Sequence, residues 1–440
     1  MIATRANDNQ ATVAYANLVG ENDGLIFDGG GVISQNGREL LFAPRFREGV
    51  AAVTVDLDRT RRMRGENTTF RTDRDLEGGP GALAHLVKHV AVADAGPDRE
   101  RLVYPVPEHR SFFLPAPVLS TRSPRADFCE DLLDALALGL GDYFEKTRAF
   151  KTIGVALSGG RDSLLCLLIA RRYLDRRYAD LSKDERDARA ASTLRAFFMP
   201  TRFSSPETRV AAELAARELD VPFVTSDIEP AFERELAAVA AMLQPGEKVD
   251  GPTRQNVQAR VRAERMWSWA NSASGLFLQT SNMSEKAVGY TTIGGDMEGA
   301  LSIIANVPKT VVNYLLDYLL ETTGSEAIRA TLVKPPSAEL ADDMEDERDL
   351  MPFPVLDACF ALYAGEKMDP HEVRTVLEAM FPEEPRERIA AWTSKFARLF
   401  TQSIYKWVQA PLCLHVGNLD LDRERALQLP VVQHRDWQQE

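Results

Sequence analysis

The chain has 440 residues, 45% of them hydrophobic, enough for two or three domains with an ordinary buried core. Its formal net charge of -13 and pI near 5.2 would repel a phosphate backbone, which disfavours a general nucleic-acid binder and requires that any anionic ligand be met by local cations. There is no run of roughly 18 uninterrupted apolar residues, and the N-terminus MIATRANDNQ lacks the apolar core of an export signal, so no membrane association is indicated and a cytoplasmic setting is expected.

In chain order, residues 12–56 read as short strands separated by turns: TVAYANLVG, LIFDGGGVIS, a turn at Gln35-Asn36-Gly37, ELLFAPRF and VAAVTVDL. A piece this short cannot bury a stable core alone, so it is expected to pack on something else or to close a larger domain. Residues 61–125 are charged and rich in Gly and Pro, as in LEGGPG and LPAPV, and suit an extended connector. From residue 126 the pattern alternates: TIGVAL, STLRAFFM, PFVTSDI and GLFLQT are strand-like and are separated by helix-compatible stretches such as PETRVAAELAARELD. This predicts an α/β fold, a parallel sheet with flanking helices of Rossmann-like type, with ligands at the carboxyl ends of its strands. The reading divides the chain into residues 1–60, a linker over 61–125 and an α/β domain over 126–440 with a mainly helical tail. The four cysteines, Cys129, Cys166, Cys359 and Cys413, form no CxxC pair, which argues for buried thiols over a disulfide framework or a zinc site.

Ser158-Gly159-Gly160-Arg161-Asp162-Ser163 falls between a predicted strand and a predicted helix, where backbone amides and a helix N-terminus can hold a polyanion. It lacks the GKS/T ending of a Walker A loop and is not GxGxxG. A Ser/Gly turn that merely caps a helix is the alternative these six residues leave open. The pattern SGGxDS resembles the pyrophosphate loop of the ATP-pyrophosphatase superfamily, whose adenine nucleotide α-hydrolase-like members cleave ATP between its α and β phosphates. The resemblance implies ATP as substrate and Asp162 as a ligand for Mg2+, a hard oxygen for a hard cation.

Later segments narrow the resemblance. Asn256-Val257-Gln258-Ala259-Arg260-Val261-Arg262 is similar to the ENxQARxR segment of NAD+ synthases, with Gln255 where a glutamate is usual. Thr280-Ser281-Asn282-Met283-Ser284-Glu285 matches their TSNxSE, GGDMEGALSIIANVPKT follows as in that family, and Lys334-Pro335-Pro336-Ser337-Ala338-Glu339-Leu340 matches KPPSAEL. The resemblance implies amidation of deamido-NAD+ with ammonia through an acyl-adenylate. Ser158, Gly159, Gly160, Asp162, Ser163, Thr280, Lys309 and Ser337 would then face ATP, and Asp162 and Glu285 would hold Mg2+ between its phosphates, with Asp162 and Lys309 as the catalytic pair. Asn256, Arg260, Glu285 and Lys406 would meet deamido-NAD+, although Trp407 and Val408 replace the basic residues usual beside that lysine. No protein nucleophile is required, in keeping with the absence of a Ser/His/Asp or Cys/His arrangement. The resemblance also implies a homo-oligomer.

Residues 13–56 resemble the closing part of the nitrilase-like glutaminase domain that precedes the synthetase in glutamine-dependent NAD+ synthases, a remnant lacking the Glu, Lys and Cys triad. Glutamine hydrolysis by that route is therefore not expected from this chain. A truncated gene product, a split enzyme with a separate glutaminase partner and an ammonia-using enzyme all remain open. Two competing readings are another amidating or thiolating member of the superfamily, opposed by TSNMSE and KPPSAEL, and a non-catalytic nucleotide-binding subunit, opposed by Asp162, Glu285 and Lys309.

Overall fold

The computed structural model describes residues 1–69, 72, 122–333, 347 and 350–422. Most of the expected linker, the KPPSAEL segment with Ser337 and residues 423–440 lie outside the described residues. The chain divides into two compact units, residues 1–20 with 27–124, and residues 21–26 with 125–440.

The first unit is built on helix α1 (Ile2–Asp8) and an antiparallel sheet of β1 (Thr12–Ala16), β2 (Val19–Asn22), β3 (Leu25–Gln35) and β4 (Arg38–Arg45), in the order β1-β3-β2 with β4 also on β3. The β3–β4 hairpin turns at Asn36 and Gly37, whose φ values of 51° and 85° give the doubly left-handed turn that matches strand twist. The register slips by a bulge between Ile33 and Ser34. VAAVTVDL, expected as a strand, is not one. Val50 is fully exposed and residues 50–55 have no ladder partner among the described residues, and β-branched residues favour a strand only where a neighbouring strand receives them. Helix α2 (Leu57–Glu66) follows, where an extended connector is the sequence expectation.

The second unit holds the expected parallel sheet. Its strands β5 (Thr152–Ala156), β6 (Leu194–Phe198), β7 (Phe223–Thr225), β8 (Gly275–Gln279) and β9 (Leu301–Ser302) lie in the order β7-β6-β5-β8-β9, all parallel. Flanking it are α3 (Pro124–Thr147), α4 (Arg161–Arg177), α5 (Lys183–Thr193), α6 (Pro206–Glu218), α7 (Glu229–Met242) and α8 (Gly251–Ala273). The short α9 (Met283–Ala287) is followed by α10 (Lys309–Thr323) and α11 (Glu326–Val333). Local chemistry sets the ends of these helices. Ser182 and Glu185 form a capping box on α5, Ser205 caps α6 ahead of Pro206, and Asp250 accepts the Thr253 amide at 2.8 Å to start α8. Two strand glycines are required by packing. A Cβ on Gly154 would come within 2.1 Å of the Trp269 ring and one on Gly275 within 2.6 Å, so the indole lies against strands that must be bare there.

The main core contains Ile153, Val155, Leu165, Leu276, Leu278 and Leu316, all buried between sheet and helices. A second cluster joins α9 to α12 (Phe353–Phe360), α13 (Pro370–Met380) and α14 (Arg386–Trp407), with Phe396, Phe400 and Trp407 stacked along α14. The tail is mainly helical, as the sequence suggests; that it packs into a cluster of its own, with a π-helical turn at Ala361–Gly365, the sequence does not suggest. No helix among the described residues is long and apolar enough to cross a membrane.

Strand order fixes where a ligand can sit. From the central β5 the chain moves outward through β6 and β7, then returns to the other side for β8 and β9. The crevice between the carboxyl ends of β5 and β8 is thus the topological switch point, and the Ser158 loop and Thr280–Asn282 open onto it.

Candidate active site

A cleft of about 440 Å³ occupies that crevice. On one side the Ser158–Ser163 loop turns through Gly159 at φ +82°, a conformation unfavourable for other residues, with the Thr208 carbonyl packed against its Cα. The hydroxyls of Ser158 and Ser163 lie 3.1 Å apart. Ser158 Oγ accepts the Gly160 amide and Ser163 Oγ accepts the Ser158 amide, both at 3.2 Å, so the two side chains brace the loop from inside. Helix α4 starts at Gly160 without a side-chain cap, and its positive end faces the cleft. Arg161 also lines the cleft, its guanidinium donating to Asn313 Oδ1 at 3.0 Å and to the Leu332 carbonyl at 3.2 Å.

Opposite the loop stands a lysine held by two carboxylates. Lys309 Nζ pairs with Asp162 Oδ2 and with Glu285 Oε1, the latter at 3.1 Å, and its side chain is only 3% exposed. Burial opposes its charge, but the two carboxylates outweigh burial and hold the ammonium protonated well above the ordinary lysine range. Asn282 organises the acids. Its Nδ2 donates to Asp162 Oδ1 at 3.0 Å while its Oδ1 accepts the Glu285 amide at 3.1 Å, capping α9. The lysine is itself placed by a cap in trans. Pro308 offers no side-chain acceptor to the start of α10, so the Lys309 amide donates to Ser284 Oγ at 2.8 Å and the Thr310 amide to Asp357 Oδ2 at 3.0 Å. Asp357 also accepts from the Ser284 and Thr310 hydroxyls, and burial pushes its carboxyl up in spite of those bonds.

The far wall is the Gly289–Asp296 loop against α8. Asn256 Oδ1 accepts from Thr292 Oγ1 at 2.8 Å, and Lys406 Nζ donates to the carbonyls of Gly289 and Thr291, both at 2.6 Å. Burial lowers the Lys406 pKa, with Asp296 acting against that. Asp296 is exposed on the cleft wall, and the protein packed around its carboxyl pushes it up to about 6 although it accepts the Thr292 amide. Thr291 Oγ1 is buried with no hydrogen-bond partner among the described residues, and Thr291 lines the cleft.

Of the residues singled out from sequence, Ser158, Gly159, Gly160, Asp162, Ser163, Asn256, Thr280, Glu285, Lys309 and Lys406 all line this cleft. Arg260 is not among the lining residues. It lies exposed on α8, its Nε donating to the Ile293 carbonyl at 3.1 Å, while Arg262 lines the cleft with its Nε on the Met199 carbonyl at 3.1 Å. Sequence reading assigned no role to Asp296, Thr291, Arg262 or Asp357. The first two fall within the matched GYTTIGGDM run, whereas Asp357 is marked by no motif.

Fold and cleft together define a doubly wound α/β protein with its site at the sheet's switch point. The family model for NAD synthase matches residues 132–398. The chain is 31% identical over 421 residues to the glutamine-dependent NAD(+) synthetase of Aquifex aeolicus, covering 93% of this chain and 63% of the relative. To that of Thermotoga maritima it is 29% identical over 384 residues, covering 84% and 58%. Among solved structures, the glutamine-dependent NAD(+) synthetase from Cytophaga hutchinsonii superposes with a TM-score of 0.72 at 20% identity, over 98% of this chain and 65% of that one. The enzyme from Acinetobacter baumannii in complex with ADP gives 0.54 at 23% identity, over 98% and 63%. At those identities the likeness establishes the fold. The chain belongs to the NAD synthase family. It spans about three-fifths of the length of these relatives.

Proposed function

We propose that this chain carries the ATP-dependent synthetase reaction, amidation of deamido-NAD+ to NAD+ by ammonia. The observation that carries the reading is the meeting of the Ser158–Ser163 loop with the Asp162, Lys309 and Glu285 cluster in one cleft at the switch point. In this reading the loop amides and the N-terminus of α4 hold the departing pyrophosphate, and Thr280 and Ser337 contact the nucleotide. Asp162 and Glu285 suit Mg2+ because both are hard oxygen donors and already converge on one cation, the Lys309 ammonium. When bound, Mg2+ would supply charge neutralisation on the phosphates. Lys309 then turns its charge to the polyphosphate. The nicotinate carboxylate attacks the α-phosphorus and pyrophosphate leaves; ammonia then attacks the acyl-adenylate carbonyl and AMP leaves. Positioning and charge stabilisation do the work. Asn256, Arg260, Glu285 and Lys406 are the residues proposed for the dinucleotide, and the Thr291 hydroxyl, without a hydrogen-bond partner among the described residues, marks a further place for a polar group of the substrate.

By the same reading residues 126–440 are the synthetase domain, residues 1–60 the closing part of a nitrilase-like glutaminase domain and residues 61–125 a linker, with the enzyme acting as a homo-oligomer. The test is formation of AMP and NAD+ by the purified chain with ATP, Mg2+ and deamido-NAD+, with ammonium or glutamine as nitrogen source. NAD+ from ammonium alone supports the synthetase assignment, NAD+ from glutamine would overturn the assigned dependence on an outside glutaminase, and no product from either, with nucleotide bound, would replace the reading with that of a binding module.

A further inference from the structure

Away from the cleft, the segment after α14 carries a second cluster of metal-binding chemistry. Leu412–Leu414 lies along the edge strand β9, with the Ser302 amide donating to the Leu412 carbonyl at 2.8 Å and Cys413 bridged to Ser302. In an extended segment residues two apart share a face, so Cys413 and His415 point the same way. Val416–Leu419 then turns the chain around Asn306, whose Oδ1 accepts the Val416 and Gly417 amides at 2.8 and 2.7 Å while its Nδ2 donates to the Leu419 carbonyl at 2.6 Å. The turn returns Asp420 to the same side. Its carboxylate meets His415 Nδ1, and Asp422 Oδ2 stands 3.7 Å from His415 Nε2. The ligand atoms of Cys413, His415 and Asp420 all lie within 4.8 Å of one another.

The structure assigns a divalent-cation site of the zinc class to Cys413, His415 and Asp420, with Asp422 at its edge. Ligand atoms arranged tetrahedrally around zinc, at bonds of ~2.0–2.3 Å, are separated by roughly 3.3–3.8 Å, so the direct His415–Asp420 contact opens by side-chain rotation to admit the ion while Cys413 stays within reach. One thiolate, one imidazole and one carboxylate select zinc over Mg2+, which demands oxygen ligands throughout. Charge is matched too, since a thiolate and a carboxylate neutralise a dication. None of these residues lines the cleft. The ion would staple together the two arms of the ribbon that follows α14, where it runs along the edge of the sheet. Spacing rules built on CxxC pairs do not register a Cys-x-His and Asp-x-Asp ribbon.

The test uses the full chain, loaded with Zn2+ or Co2+ at low micromolar concentration and freed of loose metal by gel filtration. One retained equivalent is expected, with the near-ultraviolet thiolate-to-cobalt band for Co2+, and with both lost in Cys413→Ser and His415→Ala. Because a variant can fail to fold, alkylation of the unmodified chain followed by mass spectrometry is read in parallel, and Zn2+ should slow modification of Cys413 at least tenfold. Absence of retained metal, Co2+ retention without the thiolate band, a band that survives in folded Cys413→Ser, or alkylation of Cys413 unchanged by Zn2+ would each overturn the assignment.

Discussion

Replacing Gly159 by alanine tests whether the loop geometry, and not its mere presence, makes the site. A Cβ there would stand 2.2 Å from the Thr208 carbonyl oxygen, and at φ +82° the residue is in a region that alanine adopts only at a cost. The conformational cost is about 1–2 kcal/mol. Restoring normal contact with Thr208 requires in addition a shift of roughly 1 Å in a loop braced by two serines, and a misplacement of about 1 Å at a reacting centre costs on the order of 10²-fold in rate. Gly246 separates the two effects, because at φ +99° it carries the same backbone demand with nothing within 4 Å of its Cβ position. Gly246→Ala should lose about 1–2 kcal/mol of stability with turnover unchanged. Gly159→Ala should lose at least that much and about 10²-fold in kcat/KM for ATP, followed as pyrophosphate release. Turnover within threefold of the parent for folded Gly159→Ala would refute the reasoning.

Further expectations follow from the charged groups and the sheet. Lys309→Met leaves the half-buried Asp162 and Glu285 without their cation, which should cost less than the ~3–5 kcal/mol of a fully buried broken pair, and Mg2+ should recover part of it. Thermal denaturation with and without Mg2+ should show a larger Mg2+-dependent rise in Tm for the variant than for the parent, and equal rises would count against the shared cluster. Asp296 binds a proton more tightly folded than unfolded, so its contribution is present at low pH and is lost as pH rises from about 4 through about 6. Asp296→Asn avoids that loss, and urea denaturation should favour the variant increasingly over this window, by about 1 kcal/mol or less because the group is exposed to screening solvent; a gap independent of pH would show that the raised carboxyl is not the cause. Gly154→Ala would place a methyl 2.1 Å from the Trp269 ring, and urea titration should register at least ~1–3 kcal/mol of overpacking.

Much of the site is legible in sequence because it is local. The loop from Ser158 to Ser163 combines a strand, a tight turn and a helix start within a dozen residues, and Thr280–Glu285 repeats that arrangement after β8. The strands TIGVAL and GLFLQT read correctly because a buried parallel strand is continuously apolar. VAAVTVDL has the same composition yet forms no strand, since the neighbouring chain that would pair with it is not specified by its own residues. Asp357 was invisible for a similar reason. Its role depends on Pro308 leaving α10 without a cap, and the two residues meet only through folding. Arg260 and Arg262 illustrate a different limit. A motif places both on α8, but which guanidinium reaches the cleft is decided by helix phase and by the loop packed against it.

The borrowed cap on α10 ties the cleft to the C-terminal helices. Ser284 and Asp357 hold the first turn that presents Lys309, and Asp357 rides on a helix whose apolar contacts lie in the separate cluster around Phe396 and Phe400. A fluctuation that lifts those helices would strip the Thr310 amide of its acceptor, release the Ser284 hydroxyl from Asp357 and let the lysine swing from its carboxylates while the parallel sheet stays intact. Amide hydrogen exchange at Thr310 should therefore follow the opening of residues 353–407 and not the slower exchange of β5, so the armed state of the site lasts only as long as its least stable neighbour remains docked.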